Sequence, residues 1–84
     1  MAGWPDWWSW ELEFSPHLLK RMVDRQFSEA DLRLMLDDTS AFHEDYQEGR
    51  LVIETRLGQR RWEVIVEPIR DEQVLLVVTA YPVE

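Results

Sequence analysis

The N-terminal part of the chain contains a strict alternation of apolar and polar side chains. It runs from residue 8 to residue 14, with apolar side chains at Trp8, Trp10, Leu12 and Phe14. A repeat of two residues is typical of a strand with one buried face. We therefore predict a first strand over this segment, with those four side chains directed toward the core.

Two helices are predicted next, each with a recognisable start. Ser15 is an N-cap residue followed by a proline at the first helical position, and Ser28 precedes an acidic first turn. The first helix is predicted over residues 16 to about 25, with an apolar stripe formed by Leu18, Leu19, Met22 and Val23. The second is predicted to face the core through Leu32, Met35 and Leu36.

The second half of the chain predicts strands. Residues 42–46 predict a short strand, and residues 50–57 alternate and are predicted to pair with residues 61–67 across a two-residue loop, Gly58-Gln59. Residues 73–81 include an unbroken apolar run and predict a central strand covered on both faces for much of its length. The predicted fold class is α+β, with an N-terminal strand and two helices packed on an antiparallel sheet of three to five strands.

Length and composition narrow the class of protein. The chain has 84 residues, which predicts a single domain over 1–84, with a Trp-rich segment at 1–9 and an α+β core at 10–84. An apolar content of 45% argues against disorder, and the absence of cysteine excludes disulfides and thiolate zinc sites. The sequence has neither a spanning apolar run nor a signal-peptide pattern, so we expect no membrane association and a cytoplasmic location.

The charge argues against a protein that coats nucleic acid. There are 17 acidic and 9 basic residues, giving a net charge of −8. Eight of the nine basic residues are arginine, whose forked donors suit directed phosphate contacts. Any RNA site must therefore be local and built from arginine.

The N-terminal segment holds four tryptophans within seven residues, at 4, 7, 8 and 10. One interpretation is that some of them cover an open edge of the core or a homodimer contact. The other is a partner-binding surface formed by Trp4, Trp7 and Trp8, because tryptophan is enriched at interface hot spots.

The first helix carries a candidate chemical site. His17, Arg21 and Arg25 are spaced i, i+4 and i+8 and form one stripe along a helix. A histidine can transfer protons near neutral pH, and two arginines can hold a phosphate. The alternative is a solvated helix edge whose arginines pair with nearby acids.

The ordered motifs resemble a known family. Residues 14–29 read FSPHLLKRMVDRQFSE, residues 50–53 and 61–66 read RLVI and RWEVIV, and residues 77–81 read VVTAY. This set resembles the domain-of-unknown-function family 4258, whose members carry H-x-x-x-R-M-x-x-R on a first helix and end in a strand closing on Thr-Ala-Tyr. The resemblance covers roughly residues 12–81.

The resemblance implies a fold and an activity. The family is grouped with the barnase, EndoU, colicin-nuclease and RelE-like class, which implies helices on a curved antiparallel sheet with the active site on the sheet's open face. It implies a metal-independent, toxin-type ribonuclease that needs no cofactor and is paired with an antitoxin. By resemblance, the catalytic residues are His17, Arg21, Thr79 and Tyr81, and the phosphate-binding residues are Arg25, Arg61 and Arg56.

Two further groups of residues have side chains suited to chemistry. The run His43-Glu44-Asp45 offers metal-ligand types, but consecutive strand residues cannot converge on one ion, so we interpret it as surface. Glu63 and Glu67 alternate with Arg61, and each is a candidate general base or a member of a solvated ion pair. The alternative function is a non-catalytic interaction or homo-oligomerising module on the same fold.

Overall fold

The computed structural model describes residues 5–83, which form two helices and five strands. A short 3-10 turn at Asp6–Ser9 precedes them. In chain order the elements are β1 Glu11–Phe14, α1 Pro16–Asp24, α2 Glu29–Asp37, β2 Ala41–Glu44, β3 Leu51–Leu57, β4 Arg60–Ile69 and β5 Val74–Pro82. The predicted α+β class is confirmed.

The five strands form one mixed sheet in the order β1-β5-β4-β3-β2. The prediction of an antiparallel sheet was wrong for one pair, because β1 lies parallel to β5, with Leu12 opposite Leu75 and Phe14 opposite Val77. The other three pairings are antiparallel. Alternation sets which face of a strand is buried, but it contains no information about the direction of the strand's neighbour.

Both helices pack on the same face of the sheet. Fully buried side chains from α1 and α2 meet fully buried side chains from β3, β4 and β5, and they include Leu18, Leu32, Met35, Ile53, Val64, Val66 and Val77. The hydroxyl of Thr55 on β3 also donates a hydrogen bond to the carbonyl of Met35 on α2. None of the helices in residues 5–83 covers the opposite face, which we call the open face.

The helix starts follow the predicted caps. Ser15 Oγ accepts from the Leu18 amide at 3.0 Å, and Ser28 and Asp31 form a reciprocal capping box. Because each hydroxyl satisfies an amide that has no partner within its own helix, each helix has a defined first residue.

Two local predictions were wrong. The first strand begins at Glu11, because the Trp8 amide bonds to Pro5 and the Trp10 amide to Trp7, which makes a turn. On α1, Leu19 is 50% exposed and Val23 is 77% exposed, so only part of the predicted apolar stripe faces the core.

Strand β5 contains one extra residue, Val78. Val77 lies opposite Val66 and Thr79 opposite Ile65, so Val78 has no partner on β4. This β-bulge shifts the alternation by one position. Before it, odd-numbered Val77 faces the helices; after it, Ala80 is buried beneath them, and odd-numbered Tyr81 faces the other way. Leu75 and Val77 are buried beneath the helices, whereas Val74, Leu76 and Val78 are only half-buried, so the predicted burial of both faces of β5 was correct for one face only.

Candidate functional site

The open face combines a small apolar centre with charged and polar groups. Val52 and Ile65 lie opposite each other at its middle and are 6% and 7% exposed, although both point away from the helices. Around them stand the groups able to carry chemistry, namely His43, Glu54, Arg56, Arg61, Glu63, Glu67, Thr79 and Tyr81.

The shortest polar contact on this face joins β4 to β5. Glu63 and Tyr81 are directly opposite, and the Tyr81 hydroxyl donates to Glu63 Oε1 at 2.6 Å. Burial, and then the hydrogen bond and charge of Glu63, raise the pKa of Tyr81 to about 12. Tyr81 is thus a neutral hydroxyl at physiological pH, bound to one oxygen of a carboxylate. Thr79 lies on the same face, opposite Ile65.

A second polar pair lies one strand further along. His43 on β2 places Nδ1 3.0 Å from Glu54 Oε2 on β3. Glu54 is in turn directly opposite Glu63 on β4. A row of polar side chains therefore crosses the four adjacent strands β2, β3, β4 and β5. The carboxylates of Glu54 and Glu63 are in the middle of the row, with the imidazole of His43 at one end and the phenol of Tyr81 at the other.

Two arginines lie beside the carboxylates on the same two central strands. Arg56 and Arg61 are directly opposite each other, one pair along from Glu54 and Glu63. Both are exposed, and neither guanidinium group has an ion-pair or hydrogen-bond partner among residues 5–83. Like charges directly opposite each other are destabilising, and a bound anion would relieve that repulsion. At the other end of the face Arg50 is paired with Glu67, Nε to Oε1 at 3.3 Å.

The stripe predicted on α1 does not form one site. His17 is exposed and lacks a polar partner within the described range, and Arg21 pairs with Asp24 at 3.6 Å. Arg25 follows the helix as its C-cap, and its Nη1 donates to the carbonyl oxygen of Ala80 at 2.7 Å. Since α1 covers one face and Tyr81 projects from the other, the structure does not bring His17 and Tyr81 together.

The tryptophans divide between the core and its margin. Trp7 is 4% exposed and packs its ring against Trp8 and Phe42, with ring centroids 5.6 and 5.7 Å apart. Trp8 is half-buried against the core. Trp4 lies outside the described residues. A residue as buried as Trp7 offers little surface to a partner.

The sequence assigned no role to two of the residues brought together here. His43 was interpreted as surface, and Glu54 was assigned only to a strand face. The signal available was the alternation of residues 50–57, which places Glu54 and Arg56 on one face, but the pairing that brings His43 to Glu54 depends on the register of β2.

Among residues 5–83 no group of three or more histidine, aspartate or glutamate side chains is arranged to hold a metal ion. In the same range, neither helix is long and apolar enough to cross a bilayer.

Comparison with known proteins identifies the family. No curated protein and no solved structure matches the chain at a significant level. A family model described as "Domain of unknown function (DUF4258)" matches residues 14–82, which extends from the end of β1 to the end of β5. The chain therefore belongs to the DUF4258 family.

Proposed function

We propose that this protein is a metal-independent ribonuclease of the RelE/barnase-like class, and that it cleaves RNA on the open face of its sheet. The observation that carries the proposal is the hydrogen-bonded pair of Tyr81 and Glu63 beside two arginines, Arg56 and Arg61, that have no acidic partner among the described residues. Proton-transfer groups next to unneutralised cations are what phosphodiester cleavage requires.

Arg56 and Arg61 are the phosphate-binding residues of this proposal. They are adjacent across the β3–β4 pair, so one phosphate can accept hydrogen bonds from both guanidinium groups. Such a bound phosphate lies beside Glu54 and Glu63, the next pair along the strands. The proposed phosphate site therefore depends on two neighbouring arginines and not on an overall positive charge, which suits a chain with a net charge of −8.

The proposed reaction is an intramolecular transesterification of the RNA. Glu63 accepts the proton of the ribose 2′-hydroxyl on Oε2, the oxygen that Tyr81 does not occupy. The 2′-oxygen forms a bond to phosphorus as the bond from phosphorus to the 5′-oxygen breaks, and protonated His43 donates a proton to the leaving 5′-oxygen. Arg61 stabilises the charge on the phosphoryl oxygens. The products are a 2′,3′-cyclic phosphate and a 5′-hydroxyl.

Tyr81 orients the general base in this scheme. Its hydroxyl holds one oxygen of Glu63 and so fixes the direction of the other, and its high pKa keeps the hydroxyl protonated while it does so. Thr79, one step along the same face, adds a hydroxyl near the scissile group. The resemblance assigns to Thr79 and Tyr81 hydroxyl contacts with the scissile group. In this proposal Tyr81 instead orients Glu63, which is the proton acceptor in place of His17.

The two histidines allow a sharp test. We expect the purified protein to cleave single-stranded RNA in EDTA, and the Glu63→Gln and His43→Ala variants to lose about 100-fold or more of that activity. His17→Ala is the matched control and retains activity, because its side chain is not on the open face. Cleavage that depends on His17 and not on His43 would contradict this site, and absence of cleavage by the wild type would remove the function.

The nature of the products provides a second check. An RNA oligonucleotide with a single 2′-deoxy residue at the cleavage position is expected to resist cleavage there, since its attacking hydroxyl is absent. Mass spectrometry of the wild-type products should find the cyclic phosphate. Cleavage of the 2′-deoxy position would indicate attack by water and would contradict the proposed chemistry.

A second candidate function, a non-catalytic module that binds a protein such as an antitoxin or another copy of itself, is favoured by the outer side of α1. Leu19 and Val23 are one turn apart there and are 50% and 77% exposed. Exposed apolar side chains on one helix stripe can dock a partner helix. If this is the function, Leu19→Ser with Val23→Ser lowers the apparent mass in sedimentation, or abolishes capture of the antitoxin, without loss of the fold.

A further inference from the structure

The position of the bulge at Val78 determines which face of β5 carries Tyr81. Without a bulge, Val77 and Tyr81 would share a face, because they are an even number of residues apart. The bulge at Val78 is what allows Val77 to be buried under the helices while Tyr81 lies opposite Glu63. Tyr81 reaches the open face only while the bulge remains between Val77 and Thr79.

Helix α1 binds the bulged segment at two points. At its start, the Ser15 hydroxyl donates to the carbonyl of Val78 at 2.6 Å, and the Ser15 amide bonds to the carbonyl of Val77 at 3.1 Å. At its end, Arg25 Nη1 donates to the carbonyl of Ala80 at 2.7 Å. The two side chains therefore hold the carbonyls on either side of Thr79.

Both carbonyls lie beyond Phe14 and Val77, the last pair of β1 with β5, and the Val78 carbonyl also belongs to the bulge. Residues in a bulge lose part of the regular ladder, and their carbonyls need other donors. The Arg25 contact is charge-assisted, so it is stronger than a contact between neutral groups, although Arg25 as a whole residue is exposed. Ser15 uses one oxygen twice, as an acceptor from Leu18 in the helix cap and as a donor to Val78.

We propose that Ser15 and Arg25 are positioning residues, which lock the β5 bulge at Val78 and thereby place Tyr81 opposite Glu63 on the open face. The sequence motif on α1 thus serves the site from the other side of the sheet, through the backbone of β5. Because Arg25 Nη1 contacts the Ala80 carbonyl, the proposal assigns Arg25 to the backbone of β5 and not to the substrate phosphate. The inference rests on the proposed function only for the use to which Tyr81 is put; the placement of Tyr81 is independent of it.

The test reads the state of Tyr81 directly. In a Tyr46→Phe background Tyr81 is the only tyrosine, so tyrosinate absorbance after a rapid jump to pH 11 reports it alone. With a pKa of about 12, Tyr81 is about one-tenth ionised at that pH, whereas a tyrosine with the ordinary pKa of about 10 is about nine-tenths ionised. We expect Arg25→Ala to move Tyr81 toward the second value.

Matched variants separate placement from stability. Arg21→Ala removes an arginine of the same helix that pairs with Asp24 and forms no hydrogen bond with β5, and it should leave Tyr81 mostly protonated. Ser15→Asp keeps an acceptor for the helix cap but has no hydroxyl to donate to Val78, so it should increase ionisation as Arg25→Ala does. Arg25→Lys retains one donor and is expected to give an intermediate value; it also replaces Arg25→Ala if that variant does not fold.

The results have distinct meanings. If folded Arg25 and Ser15 variants keep Tyr81 about one-tenth ionised, the proposal is wrong, even if both variants are less stable. If ionisation rises in both and not in Arg21→Ala, the proposal holds whether or not the protein cleaves RNA. If the wild-type protein does not cleave RNA but Tyr81 ionises in the variants as expected, only the ribonuclease function is contradicted.

Discussion

Tyr81 and Glu63 are joined by a 2.6 Å hydrogen bond from the phenol to Oε1, across the pairing of β5 with β4. The contact lies on the open face, and it joins β4, the middle strand of the sheet, to its neighbour β5. It couples the protonation of a tyrosine to the folded state, because the hydroxyl loses both its burial and its acceptor when the chain unfolds. The same pair is the centre of the proposed active site.

This coupling predicts a stability change in alkali. The folded-state pKa of Tyr81 is raised to about 12 and the unfolded value is about 10. Its contribution is therefore fully present below pH 10 and is lost as the pH rises toward 12. We expect the free energy of unfolding to fall more steeply over this range in wild type than in Tyr81→Phe, measured by urea denaturation. Tyr46→Phe is the control and should follow wild type, since Tyr46 is fully exposed.

The arginine pair predicts a salt effect on RNA binding. Each phosphate contact to a single strand contributes about −0.7 to the slope of log K against log salt. Because Arg56 and Arg61 share one phosphate in the proposed site, Arg56→Ala and Arg61→Ala should each reduce the magnitude of the slope by up to that amount. The slope is measured with catalytically inactive Glu63→Gln protein and a short RNA. Arg33→Ala is the control, because Arg33 already pairs with Glu29 at 2.9 Å. An equal effect of all three arginines would indicate diffuse attraction and not this site.

The sequence predicted most of the helices and strands, but it predicted less of how the strands pair. The caps at Ser15 and Ser28 and the two-residue loop at Gly58-Gln59 are local features, and each predicted element boundaries within a few residues. The parallel pairing of β1 with β5 is not local, since it joins residues about sixty positions apart. No pattern within either strand encodes it.

For the candidate site too, the sequence predicted the positions of side chains along each element but not the contacts between elements. Alternation placed Thr79 and Tyr81 on one face of a strand, and Arg56 and Arg61 on neighbouring strands, as the structure has them. Which face they occupy depends on the bulge at Val78, and the apolar run around it does not reveal the change of phase. The stripe on α1 was correctly spaced along the helix, but spacing could not show that Arg25 turns back to the Ala80 carbonyl.

The capping box at the start of α2 predicts a modest local cost. Ser28→Ala removes the acceptor of the Asp31 amide, at 3.1 Å, and should lower the free energy of unfolding by about 1 kcal/mol. Ser28→Asn keeps an acceptor at the N-cap and should stay close to wild type. Both are measured by urea denaturation at neutral pH. A loss in Ser28→Asn as large as in Ser28→Ala would show that the hydroxyl acts through something other than the cap.

The burial of Trp7 predicts a much larger effect. Trp7 is 4% exposed and its ring contacts Phe42 on β2, so it joins the N-terminal turn to the far edge of the core. Replacing a buried tryptophan with alanine costs about 3–5 kcal/mol, a large part of the 5–15 kcal/mol that holds a typical domain together. We expect Trp7→Ala to melt at a markedly lower temperature than wild type, followed by circular dichroism. Tyr46→Ala removes a fully exposed aromatic ring and should stay within about 0.5 kcal/mol of wild type. If Trp7→Ala kept full stability and lost only self-association or partner capture, Trp7 would be a binding residue, as the Trp-rich segment first indicated.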